Sequence, residues 1–181
     1  IQSTIQQAAR DIGVDLVQVG SRAYSTNTLE SGWIPSPLPG IYTGDGMMQE
    51  YRDWLGADSY EAAGSIGGSF VSKEISDYYV NPFELGYGFY IGWKKENFIG
   101  KDALRRIKQE GTTRNQVGLV LDCAPITRPN TPFWVIQQDG ATIGKVTSAV
   151  YSPRLKQNIA LAMVATDAAI LGAEVEVLTD T

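Results

Sequence analysis

The chain is 181 residues long, 43% hydrophobic and 19% charged, with a formal net charge of -5 and no histidine. Such a composition belongs to an ordered globular protein with one medium core or two small ones, and the acidic balance without a long basic run argues against a nucleic-acid partner. Without imidazole the chain builds no zinc triad and no Ser-His pair, so any proton must move through Tyr, Asp, Glu, Lys or water.

Ile5, Ala8, Ala9 and Ile12 recur at helical intervals, and Gly13 supplies a stop, which predicts a first helix. Because that pattern is already running at Ser3, the chain is expected to begin inside a larger protein. The apolar run Val14 to Val19 reads as a short strand, and Ser21 to Glu30 as a helical or turn-like segment ending at Gly32. Pro35, Pro37 and Pro39 alternate, which requires an extended loop. Met47, Met48, Tyr51, Trp54 and Leu55 fall on one helical face and predict a core-facing helix. The glycine-dense run Gly64 to Ser69 lacks both the phosphate-loop lysine and the GxGxxG spacing, so it reads as a tight turn.

Glu84 to Trp93 is rich in β-compatible residues and predicts a strand. A helix follows from about Lys101 to Gln109, ended by Gly111, with its basic residues up to Lys108 as a solvated face. After Thr113 the character changes. Strand-like runs at Val117–Leu121, Phe133–Ile136, Thr142–Val146, Ile159–Val164 and Val175–Leu178 come at regular intervals, and Asp139-Gly140 between two of them is a hairpin signal. This half predicts a small antiparallel β-barrel or sandwich that closes to hide its strand edges.

The lone Cys123 has no disulfide or metal partner, which fits a reducing compartment and makes the cytoplasm the expected location. No apolar run approaches the roughly 20 residues that span a bilayer. Neither a membrane nor a metal is therefore expected.

The densest chemistry lies in Val19 to Trp33, where glycines punctuate an arginine, a tyrosine, a carboxylate and a tryptophan. A tyrosine hydroxyl, with a reference pKa of about 10, is a candidate proton donor in a chain without histidine. Tyr24 suits that task; its structural alternative is to anchor a helix end. Arg22 carries a planar fork that grips a carboxylate with two parallel hydrogen bonds, or else pairs with Glu30 or Asp11. Trp33 offers a face for ring stacking or serves as a core residue. Tyr78 and Tyr79, beside Asn81, are candidates for an aromatic cavity wall. Glu84 either accepts from backbone amides at the start of an element or lines the same cavity. A glycosidase-like pair of Glu30 and Asp45 fits by residue type alone, with nothing to set its separation.

Together with Asn81-Pro82-Phe83-Glu84-Leu85-Gly86-Tyr87-Gly88 and Phe98-Ile99-Gly100-Lys101-Asp102-Ala103-Leu104, the Val19 to Trp33 run resembles the folate-dependent aminomethyltransferase family, the glycine cleavage T-protein and its relatives. Gly144-Lys145-Val146-Thr147-Ser148 and Ser152 to Ala162 resemble the C-terminal barrel of that family. Within it, Ala23 and Tyr24 after the motif arginine, where T-proteins usually carry an acidic residue, favour the branch of tetrahydrofolate-dependent aryl O-demethylases acting on vanillate or syringate.

The resemblance implies an α+β fold. Residues 1–113 would be the C-terminal part of a folate-binding domain and residues 114–181 a small antiparallel β-barrel. It further implies tetrahydrofolate as cofactor and a small-molecule methoxyaryl donor, with Tyr24 at the substrate oxygen and Arg22 on the folate tail. The alternatives are aminomethyl transfer in glycine cleavage, with a lipoyl carrier protein as partner, and a non-catalytic folate-binding module. The family's pterin-reading acid would lie upstream of Ile1, so these residues alone are expected to be inactive. This reading requires Tyr24 and Arg22 to face one cavity.

Overall fold

A computed structural model describes residues 1–33, 47–56, 59, 68–128, 130 and 132–179 of the chain. The prolines 35, 37 and 39, Asp45 and most of the 64–69 glycine run lie outside the described residues. Four α-helices are described: α1 (Gln2–Asp11), α2 (Ser21–Glu30), α3 (Met47–Trp54) and α4 (Lys101–Glu110). Five strands follow: β1 (Arg114–Leu121), β2 (Trp134–Gln138), β3 (Ala141–Ser152), β4 (Gln157–Ala165) and β5 (Glu176–Leu178). No described helix is long and apolar enough to cross a membrane.

The helix signals read from sequence hold at their boundaries. At the end of α1, Gly13 takes a left-handed φ of 70°, and Gly13 and Val14 return their amides to the carbonyls of Arg10 and Ala9. Val14 to Val19, expected as a strand, instead runs without a strand partner and is exposed along its length. An apolar run becomes a strand only where a neighbour takes its hydrogen bonds, and none does so here among the described residues. The face predicted for α3 is also less buried than its pattern implied: Met47 and Trp54 are exposed, and Tyr51 is half-buried.

The sheet is antiparallel with order β1-β4-β3-β2-β5. Its turn chemistry is legible: Asp139 and Gly140, at φ 52° and 77°, form the tight β2–β3 connection, because both central residues of a type I′ turn need positive φ. Period-two alternation then sorts each strand into two faces. One face carries Trp134, Ile136, Val146, Ala149, Ala160, Ala162 and Val164, the main core. Gly144 sits on this face because a Cβ there would lie 2.1 Å from the carbonyl oxygen of Met163. A register shift between Val146 and Ser148 turns the rest of β3 so that Val150 joins Ile159, Leu161 and Leu29 on the other face. That second, outer face is where the first half of the chain docks.

The expected closure is not found. β1 and β5 remain the two ends of the sheet, each with a strand partner on one side only. The space beside them forms two cavities of about 650 and 310 Å³, lined by β1 residues from Val117 to Leu121 and by the segment from Ala168 to Thr179. Alternation in the sequence marked the strands but carried no information on whether the first and last would meet.

Candidate functional site

The outer face of the sheet holds the elements that carry the candidate residues. Parity places Arg114 and Gln116 of β1 and Lys145, Ser148, Val150 and Ser152 of β3 on it, opposite the core residues. Helix α2 lies across it: Leu29 packs on Val150, Ile159 and Leu161, and Glu30 receives hydrogen bonds from Ser152 Oγ at 2.5 Å and from Arg154 Nε at 2.7 Å.

The bond from Ser152, aided by Arg154, holds the Glu30 carboxyl below its ordinary range against the opposing effect of burial. A depressed carboxyl contributes stability that is present above its unfolded value, near 4.5, and is lost as pH falls through the lower folded value. Glu30→Gln is expected to flatten that acid limb, as read by denaturation midpoints between pH 6 and pH 2.

Glu84 opens a turn. Pro82 starts it, Asn81 Oδ1 accepts from the amides of Phe83 and Glu84, and Glu84 Oε2 accepts from the amide of Asn81 at 2.9 Å. This reciprocal arrangement is a capping box built on Asn-x-x-Glu, with proline at the first helical position. It explains why Glu84 to Trp93 is a chain of turns with a 3-10 segment at Gly88–Tyr90 rather than the expected strand. Of the two sequence readings for Glu84, the structure has the amide acceptor. The carboxylate is buried at 7% exposure, and its other oxygen meets Arg114 Nε at 2.8 Å.

Arg114 also donates to the carbonyls of Ser76, Asp77 and Tyr79, at the end of the 3-10 turn Ile75–Tyr78. Lys145, 4% exposed, reaches the same Asp77 carbonyl inside a cage of Phe70, Tyr78 and Phe133, whose ring centres lie 4.5, 4.7 and 4.8 Å from Nζ. Two cations thus sit at the carbonyl end of one turn. Tyr78, expected as cavity wall, is packed in this cage with its hydroxyl accepting from the Ser72 amide, and Tyr79 presents its carbonyl to Arg114.

Burial, with the Arg114 charge adding to it, lowers the Lys145 pKa to about 8, while Asp77 and Glu84 pull it upward. The unfolded chain then binds more protons than the folded one between about pH 8 and the ordinary lysine value of 10.5, so stability rises with pH across that window. Lys145→Met is expected to remove the rise in a comparison of urea midpoints at pH 7.5 and pH 10.

Tyr24 and Arg22 both lie in α2. Two residues apart on a helix means about 200° of rotation, so they flank the stripe of half-buried Ser25 and buried Thr28 and Leu29 on opposite sides. The shared cavity expected for them is absent among the described residues. Tyr24 is 59% exposed, and neither described cavity is lined by any of the six candidate residues. Arg22 is exposed and makes no ion pair among the described residues. The alternative pairing with Glu30 or Asp11 is not formed, since Glu30 takes Arg154 and Asp11 accepts from Gln7. Trp33, 47% exposed, stacks on Tyr87 with ring centres 5.1 Å apart and planes at 25°, so it is not a core tryptophan. Lys101 departs from the solvated face expected of α4: it is buried and donates to the carbonyls of Lys95 and Glu96.

Sequence reasoning therefore missed Arg114, Gln116 and Lys145. The available signal was polar residues on alternate positions of otherwise apolar strands, which mark a second covered face.

An antiparallel sheet thus presents one face as a docking platform for a preceding α-rich segment. Residues 114–181 match the family described as the glycine cleavage T-protein C-terminal barrel domain. The chain is 39% identical over 152 residues to a syringate O-demethylase of Sphingobium sp., covering 84% of this chain and 32% of that protein. It is 44% identical over 106 residues to an aminomethyltransferase of Symbiobacterium thermophilum, covering 58% of this chain and 27% of that protein. An aminomethyltransferase of Thermoanaerobacter pseudethanolicus is 37% identical over 119 residues, with coverages of 66% and 30%. The chain belongs to the glycine cleavage T-protein family and spans about a third of the length of these relatives.

Proposed function

We propose that the protein carrying this chain transfers a one-carbon unit to tetrahydrofolate, and that the unit is a methyl group from a methoxyaryl donor. The observation that supports the donor is the extent of similarity: the match to the syringate O-demethylase runs over 84% of the chain, against 58–66% for the aminomethyltransferases named above. Residues 1–113 would then belong to the folate-binding portion and residues 114–181 to the barrel. The unpaired Cys123 fits a reducing cytoplasmic setting.

The residues present fit a folate. The guanidinium of Arg22, without an ion pair among the described residues, suits a carboxylate tail, and the exposed rings of Trp33, Phe89 and Tyr90 suit flat heterocyclic or aryl surfaces. Tetrahydrofolate, when bound, supplies the nitrogen that accepts the one-carbon unit. Tyr24 Oη donates a proton to the aryl oxygen as its bond to the methyl carbon breaks, so the phenol rather than a bare phenolate departs. Its exposure leaves the hydroxyl open to water, from which the proton is restored, offset by the proton that the accepting nitrogen would release to solvent. Arg22 lies on the opposite flank of α2, so the one-cavity arrangement expected from the sequence gives way to separate roles, with Tyr24 at the reacting oxygen and Arg22 at the far end of an extended cofactor.

The second reading is aminomethyl transfer from a lipoyl carrier protein, favoured by the higher local identity of 44%. Assay of the whole protein separates the two. Tetrahydrofolate-dependent O-demethylation of syringate or vanillate, freeing a further ring hydroxyl, supports methyl transfer. Ammonia release from an aminomethyl-lipoyl donor, with no turnover of either arene, supports the rival. Folate binding with neither reaction leaves a non-catalytic module.

A further inference from the structure

The carbonyl of Gly32 joins three parts of the molecule. Gly32 ends α2 at φ 72°, its amide donating to the Leu29 carbonyl, and its own carbonyl accepts hydrogen bonds from Gln116 Nε2 on β1 at 2.9 Å and from Tyr87 Oη at 3.3 Å. The next residue, Trp33, stacks on the ring of that same Tyr87. Tyr87 meets Tyr90 edge-on at 6.2 Å, and Tyr90 lies 4.0 Å from Phe89, both of the latter being exposed. Among the described residues a ladder of four rings thus runs from the end of α2 to Phe89, and its Tyr87 rung is tied to one carbonyl. Of the two donors to that carbonyl, the tyrosine belongs to the ladder itself. Gln116 belongs to the sheet: its strand pairs with β4, and its own amide donates to the Glu84 carbonyl at 2.8 Å.

We propose that Gln116 is a positioning residue that sets the plane of the Trp33–Tyr87 pair and thereby the fit of a flat ring against it. The ring geometry stands on the structure alone; its consequence for ligand selection rests on the function proposed above. A carbonyl has two acceptor sites, and here both are used by groups whose positions fix the two stacked rings. Gln116 contacts no reacting atom and acts only through Gly32 and Tyr87.

Gln116→Glu tests this with almost no change of shape. An ionised carboxylate only accepts, so it opposes the Gly32 carbonyl, whereas a protonated one donates as the amide does. The readout is the near-UV circular dichroism due to Trp33, taken as the difference between each protein and its Trp33→Phe form. In the wild-type background the signal is expected to be the same at pH 8 and pH 5. In Gln116→Glu it is expected to be lost at pH 8, where the carboxyl is ionised, and in Gln116→Leu to be lost at both pH values.

With syringate as probe in the whole protein, KM for Gln116→Glu at pH 8 is expected to rise about tenfold with kcat retained, the size of one lost hydrogen bond. A Trp33 signal unchanged by both substitutions overturns the proposal, and should Gln116→Glu fail to fold, Gln116→Leu alone decides it. A signal that moves while KM does not overturns the role in ring selection. If the signal behaves as expected and the wild type neither binds tetrahydrofolate nor demethylates syringate, the proposed function falls and the positioning role stands.

Discussion

Tyr24→Phe is expected to lower kcat for methoxyarene demethylation by about 100-fold or more while leaving tetrahydrofolate affinity unchanged, the signature of a lost general acid. The ring is kept, so packing along α2 changes little, and only the hydroxyl is removed. Tyr24 is 59% exposed, and its removal deprives no described group of a hydrogen bond, which separates the chemical effect from a loss of fold. Single-turnover kinetics and folate titration on the whole protein check both halves. A substitution that leaves kcat within a few-fold of wild type removes Tyr24 from the mechanism.

Arg114→Met is expected to destabilise the protein by about 3–5 kcal/mol, because it leaves a buried carboxylate without its counter-ion. Glu84 would lose the partner at 2.8 Å, and the carbonyls of Ser76, Asp77 and Tyr79 would lose their donor. Asn81 would still donate to Glu84, so the capping turn itself persists. Part of the cost therefore comes from the stranded charge. The double variant Arg114→Met with Glu84→Gln is expected to lose markedly less than the sum of the two single changes, which urea unfolding of all four proteins measures as a coupling energy. Additivity would mean that the pair contributes nothing beyond its separate contacts.

These two expectations describe a division of labour. The sheet's outer face, through Arg114, Gln116, Lys145 and Ser152, holds the preceding segment by its turn carbonyls and by Glu30, while that segment displays Tyr24, Arg22 and Trp33. Chemistry-bearing residues are exposed on α2 and at its end, and the rigid element beneath supplies no candidate group. Burying the polar supports and exposing the candidate side chains is the arrangement that the proposed site, held by a scaffold, requires.

Local rules were legible where a residue's own conformation decides the outcome. Gly13 stops α1, Asp139-Gly140 turns β2 into β3, and Gly111 ends α4, each because few residues tolerate positive φ. Periodicity marked the five strands because successive side chains of a strand point to opposite faces. It failed at Val14 to Val19, where an apolar run meets no partner. It failed again at Glu84 to Trp93, where aromatic content outweighed the Asn81-Pro82-x-Glu84 capping signal that was present. The Lys145 cage joins residues as far apart as Phe70, Tyr78 and Phe133, and no pattern within a strand specifies such partners. Tyr24 and Arg22 were close in sequence, but helical rotation placed them on opposite flanks of α2, a consequence their spacing already contained.

The most direct measurement is a crystal structure of the whole protein with tetrahydrofolate and a methoxyarene. The expected result is a ring stacked at Trp33, the donor's ether oxygen within hydrogen-bonding reach of Tyr24 Oη, and a folate carboxylate on Arg22. Both ligands lodged instead in the cavity between β1 and the Gly172 to Thr179 segment, away from α2, would contradict the account.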